Sequence, residues 1–226
     1  KVVKSPEPFL STLVGRYGNR IAKGKFTLDG KEYTLAINNG PNSLHGGPTG
    51  FHARVWDAEQ LNDSSLKLTY TSADGEEGFP GNLDITVIYS LTEDNEFVIE
   101  YSATTDKKTI VNLTHHAFFS LSGIQKDTAS VENNILTLNA DFYVPVDETS
   151  IPYGRIDAVE RTPMDFRTPY VVGERIDADF EQTKLVLKIL VTSIWDAVVE
   201  LEFGILQEAI DRRDVLIGSL VESRST

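Results

Sequence analysis

The sequence has no cysteine, a single methionine and two tryptophans among its 226 residues. Without cysteine there is no disulfide, no thiol nucleophile and no thiolate metal site, although the compartment stays open. Long hydrophobic runs are absent too, since no stretch reaches the ~18 apolar residues of a membrane span. The opening Lys1-Val2-Val3-Lys4-Ser5-Pro6 has no signal-peptide hydrophobic region, which favours the cytoplasm. Basic residues are the minority, with 21 Lys+Arg against 34 Asp+Glu and a net charge of −13. That sign repels phosphate backbones and no basic, aromatic-studded stretch offsets it, so neither nucleic acid nor a membrane is an expected partner. A neutral small molecule is indifferent to the field. Solubility is the plainer use of the charge.

What is present reads mostly as strands. Leu66, Leu68 and Tyr70 alternate with polar residues, as do Leu83, Ile85, Val87, Tyr89 and Leu91, and then Phe97, Ile99, Tyr101 and Ala103. A period of two with one apolar face marks half-buried antiparallel strands. Phe26-Thr27-Leu28 and Tyr33-Thr34-Leu35 flank Asp29-Gly30, a hairpin signal because both central positions tolerate positive φ. Thr92-Glu93-Asp94-Asn95 predicts a second hairpin link. No amphipathic helix stands out before residue 175, so the expected fold is all-β, an antiparallel β-sandwich.

Two connecting segments, Asn38 to Gly50 and Asp74 to Asn82, are too rich in glycine and polar residues to be strands. Long loops on a rigid sheet are where binding residues tend to lie. From about Gln182 the texture changes. Thr183 to Thr226 has no proline and two glycines, and Ile194, Val198, Leu201 and Ile205 recur at helical spacing. The expected organisation is therefore a β-sandwich over 1–182 and a separate tail of helical spacing over 183–226.

All four histidines, His45, His52, His115 and His116, precede residue 120. Histidine is the side chain best suited to exchange a proton near neutral pH, but a lone loop histidine is more often structural. Adjacent histidines on a strand point to opposite faces, and no partner ligand stands at a recognised spacing, so no metal site is expected. Trp56 is of a type that stacks on sugar faces, with core packing its commoner use.

Seven segments carry joint information. In order they are Gly15-Arg16-Tyr17-Gly18-Asn19-Arg20-Ile21, Ser43-Leu44-His45-Gly46-Gly47, Asp74 to Leu83, Asn112 to Leu121, Pro145-Val146-Asp147, Ile151-Pro152-Tyr153-Gly154 and Thr162 to Arg167. Together they resemble the aldose 1-epimerase (galactose mutarotase) family. The resemblance implies the galactose mutarotase-like supersandwich, a free hexose such as galactose or glucose as substrate, no cofactor, no metal, and a monomer or weak dimer. It implies that His116 is the general acid toward the sugar ring oxygen and that His45 is a second histidine near the same oxygen. Arg20 would contact substrate hydroxyls, with Asn19 in support.

This sequence also departs from the family. The family's base is a glutamate in a Thr-x-Glu-Pro-Gly motif, and a substrate-binding aspartate lies in Gly-x-Asp-His; neither motif occurs here. His115 stands where asparagine is usual and Gly18 where alanine is common. The family's N-terminal strands are missing as well. The chain thus reads as the central part of the domain with impaired activity. The alternatives are a non-catalytic carbohydrate-binding module of the same sandwich fold, or a hexose-6-phosphate epimerase, which would want a basic phosphate pocket.

Overall fold

Alternating apolar residues build the main sheet of the protein, seen in a computed structural model that describes residues 9–117 and 130–187. These residues form two compact units, one of residues 12–115 and the other of residues 9–11, 116–117 and 130–187. The stretch expected as one sandwich, 1–182, contributes to both units. Of the expected tail only residues 183–187 are described, as a single π-helical turn, Thr183–Leu187. The helical spacing at Ile194 to Ile205 lies outside the described residues.

The 12–115 unit holds β1 (Leu13–Val14), β2 (Arg20–Ile21), β3 (Lys25–Leu28), β4 (Lys31–Thr34), β5 (Ser43–Leu44), β6 (Asp57–Asn62), β7 (Ser65–Ser72), β8 (Leu83–Leu91), β9 (Phe97–Thr105) and β10 (Thr114–His115). Strands β6 to β9 form one antiparallel sheet in sequence order. Register places Tyr70 opposite Ile85 and Ile85 opposite Ala103, then Leu68 opposite Val87 and Val87 opposite Tyr101. The three alternating sets seen in the sequence therefore share one face, where Leu83, Ile85 and Val87 are buried with Leu13 and Phe51. Removing that apolar surface from water stabilises by roughly 25 cal/mol per Å². Strand β6 is exposed at every position, and its polar Asp57, Glu59, Gln60 and Asn62 blunt the sheet edge.

The Asp29-Gly30 hairpin forms as expected between β3 and β4, with φ of +51° and +76° at its two central residues. The second hairpin link closes where the Thr92 N–H donates to Glu96 O at 3.0 Å. The remaining pairings of this unit are short and distant in sequence: β1 with β10, and β2 with β5.

The other unit contains β11 (Ile135–Leu136), β12 (Phe142–Tyr143), β13 (Asp157–Ala158) and β14 (Tyr170–Val171), paired antiparallel as β11 with β14 and β12 with β13. Val159, Met164, Phe166, Val172 and Ile176 are its core. Buried Gln182 closes it: its Oε1 accepts from the Val146 N–H and its Nε2 donates to the Val146 carbonyl, each at 2.9 Å. Among the described residues no helix is long and apolar enough to cross a membrane.

The Thr162 to Arg167 segment folds around an ion pair. Arg167 reaches Asp165 through Nε and Nη2 at 2.9 and 2.8 Å, and Asp141 through Nη1 at 3.0 Å. Those hydrogen bonds pull the Asp165 carboxyl down to about 2. A depressed carboxyl contributes stability that is present above its ordinary value of about 3.9 and disappears as pH falls through the folded value. The stability difference between the native chain and Asp165→Asn should therefore be constant above about pH 5 and shrink toward pH 2. Urea unfolding across that range measures it, and a gap independent of pH would refute the assignment.

Candidate active site

The segment Gly15 to Ile21 crosses the His45 loop at very short range. The Gly15 carbonyl accepts from the Phe51 N–H at 3.2 Å, and Gly46 rests directly on that carbonyl. A Cβ built on Gly46, at φ +79°, would lie 1.8 Å from the Gly15 oxygen. Only glycine fits there, which explains why the two glycine-rich segments occur together.

Beyond the crossing, β2 pairs with β5 so that Arg20 lies opposite Leu44, one residue before His45. Asn19 and His45 are both left-handed, at φ +57° and +52°, a region that Asn and His enter more readily than most residues. This turns each toward the other. The His45 N–H donates to the Asn19 carbonyl at 2.9 Å, and the Asn19 N–H donates to His45 Nδ1 at 3.0 Å. The Asn19 side chain serves Arg20, its Oδ1 accepting from Arg20 Nη1 at 3.1 Å, while Arg20 Nε donates to Asn39 Oδ1 at 2.9 Å. Asparagines stiffen the loop behind them. Asn38 exchanges side-chain hydrogen bonds with both backbone groups of Leu44, and buried Asn42 accepts from the Lys23 N–H.

Three of the four candidate residues, Asn19, Arg20 and His45, are thus drawn into one hydrogen-bonded cluster. His116 belongs to the other unit, where its carbonyl accepts from the Ser11 N–H at 2.8 Å and its ring stacks on Phe9 with centroids 5.8 Å apart. His115, the preceding residue, turns its ring edge-on to Tyr89 and Phe97 instead. His52 lies on a short turn, Phe51–Ala53, where burial holds its imidazole below the ordinary value. Trp56 packs against Phe51 and Tyr70 and donates from Nε1 to the Phe51 carbonyl at 3.3 Å, the use expected of a core residue. Among the described residues no group of three or more His, Asp or Glu is spaced to hold a metal ion.

Arg16 is the residue the sequence did not single out. It is 2% exposed, yet every guanidinium nitrogen has a partner. Nε donates to Ser72 Oγ, Nη1 to the Pro80 carbonyl, and Nη2 to the carbonyls of Ser72 and Ala73, all within 2.9 Å. Ser72 Oγ passes its own hydrogen to Glu76 Oε1 at 2.7 Å, and Tyr70 OH donates to Glu76 Oε2 at 2.6 Å. Burial lowers the Arg16 pKa, opposed first by the Glu76 carboxylate. Burial and the Glu76 bond push the Tyr70 hydroxyl up to about 12. The guanidinium fastens the Asn19–Arg20 segment to the Asp74–Asn82 loop. Thr49 Oγ1 donates to Glu77 Oε1, which ties the His45 loop to that same loop.

The chain matches the aldose 1-epimerase family model over residues 1–201. It is 45% identical over 177 residues to the aldose 1-epimerase of Escherichia coli, covering 78% of this chain and 50% of that protein. Its identity to the bovine galactose mutarotase is 45% over 170 residues, covering 75% and 48%. Among solved structures it resembles the galactose 1-epimerase of Lactobacillus acidophilus, with a TM-score of 0.71 and 32% identity over 80% of this chain and 55% of that one. The aldose epimerase homologue of C. elegans aligns with a TM-score of 0.68 and 36% identity over 75% of this chain and 50% of that one. The chain thus spans about half the length of the curated relatives it matches. These likenesses agree with the antiparallel all-β fold of the described residues, and by them the chain belongs to the aldose 1-epimerase family.

Proposed function

We propose that this chain carries the proton-donor half of an aldose 1-epimerase site acting on a free hexose such as galactose or glucose. The hydrogen-bonded Asn19–Arg20–His45 cluster carries the reading, because three polar residues converge there on one short strand pair of a family member. Interconverting anomers takes a proton from the C1 hydroxyl and delivers one to the ring oxygen. The ring opens to the aldehyde, the C1–C2 bond rotates, and closure follows on the other face. His116 is the proposed acid toward the ring oxygen and His45 the proposed second contact to it. Arg20 is assigned to sugar hydroxyls, with Asn19 in support. The reaction has no redox step and calls for no redox cofactor.

The partner of that acid is a base, and the 226-residue sequence contains neither a Glu-Pro-Gly nor a Gly-x-Asp-His motif. Loss of one acid–base partner typically costs ~10²–10⁴-fold in rate. The chain assayed as it stands should therefore mutarotate freshly dissolved α-galactose at a rate lower than a family enzyme by about that factor. Polarimetry reads this directly, and a normal enzymatic rate would sink the impairment. A second reading, a non-catalytic carbohydrate-binding module, rests on the same two motifs not occurring in the 226 residues. His116→Ala separates the two: an epimerase loses its residual turnover, whereas a binding module changes only its affinity for the sugar.

A further inference from the structure

His45 is 7% exposed and its ring is fixed at Nδ1 by a main-chain donor, so which ring nitrogen accepts is set by the fold. An imidazole nitrogen that accepts a hydrogen bond carries no proton, and in a neutral ring the proton then lies on the other nitrogen. A hydrogen on Nδ1 would face the Asn19 N–H across 3.0 Å, donor against donor. The reciprocal bond from the His45 N–H to the Asn19 carbonyl holds the main chains at that distance, and the left-handed backbone at both residues aims them.

We propose that Asn19 is a positioning residue that locks the neutral His45 ring as its Nε2–H tautomer. The inference rests on the epimerase reading of His45 and adds to it which ring nitrogen carries the hydrogen. Asn19 contributes twice, its N–H setting the tautomer and its Oδ1 orienting the Arg20 guanidinium.

Nitrogen NMR on the uniformly ¹⁵N-labelled chain tests the lock without reference to turnover, so its outcome is separable from that of the polarimetry. The His45 signals are assigned by their loss in His45→Gln. At neutral pH the imidazole should show a protonated Nε2 and an unprotonated Nδ1, with a through-hydrogen-bond ¹⁵N–¹⁵N coupling between Nδ1 and the Asn19 amide. A protonated Nδ1, a mixture of tautomers, or no coupling would overturn the proposal. Asn19→Gly keeps both the N–H and the freedom to be left-handed, and it should retain the tautomer and the coupling while releasing Arg20. Asn19→Val, whose branched side chain resists that backbone region, should lose the coupling and let the tautomers mix. An unchanged His45 spectrum in a folded Asn19→Val chain would also overturn it.

Discussion

Gly46→Ala should remove about 2–5 kcal/mol of folding stability, a large part of the roughly 5–15 kcal/mol that a domain possesses. Two costs add. An L-residue held in the left-handed region loses roughly 1–2 kcal/mol, and Gly46 has a φ of +79°. The new methyl would then lie 1.8 Å from the Gly15 oxygen, a main-chain atom with no rotamer to change. Overpacking of side chains costs about 1–3 kcal/mol and sometimes more, and here the crossing of the two site segments has to separate. Gly40→Ala is the internal control, with a φ of +53° and no atom within 4 Å of the new Cβ. It bears only the backbone cost. Urea midpoints of the two variants against the native chain decide the matter. Equal losses would show that the short contact contributes nothing.

Arg16→Met is expected to be of similar size, about 3–5 kcal/mol, for the opposite reason. The substitution overpacks nothing but strands acceptors: Ser72 Oγ and the carbonyls of Ser72, Ala73 and Pro80 lose their donor in a buried place. It also removes one of the two positive charges near the Glu76 carboxylate, leaving Arg54 at 3.6 Å as the other. Arg16→Lys restores the charge but not the planar fork that meets the Ser72–Ala73 and Pro80 carbonyls together, so it should recover only part of the loss. The expected order in thermal or urea unfolding is native, then Lys, then Met. A Met variant within about 0.5 kcal/mol of the native chain would mean that the network is not structural, since that is the scale of an ordinary surface substitution.

Which features were legible in the sequence follows from the range of the interactions that make them. Strands β7, β8 and β9 were visible because each writes its buried face locally as an alternation, and Asp29-Gly30 named its own turn. The β2–β5 and β1–β10 pairings were not, since they are two residues long and their partners lie far along the chain. Arg16 reads as an exposed cation because arginine is almost never buried without partners, and its partners come from residues 56 to 64 positions away. His45 and Arg20 are nominated only through the resemblance of whole segments. The part Asn19 takes through its main chain was invisible, because a backbone N–H belongs to every residue but proline and only its direction is special. The two-unit division was hidden as well, since both units draw on one continuous run of strand-like texture.

The meander of β7, β8 and β9 also sets an order of assembly. Its hairpins join strands across loops of about ten and five residues, whereas pairing Leu13 with His115 closes a loop of about a hundred. Loop-closure entropy grows with the logarithm of length, so the long closure costs about 2 kcal/mol more than the ten-residue one. The ledge on which β1 docks has to exist before that cost is met. By this measure the β1–β10 pairing is expected to follow the sheet, whereas the β2–β5 pairing that holds Arg20 closes only about twenty residues and need not wait for it. During synthesis this late closure waits on residue 115 leaving the ribosome, long after the residues it positions have been made.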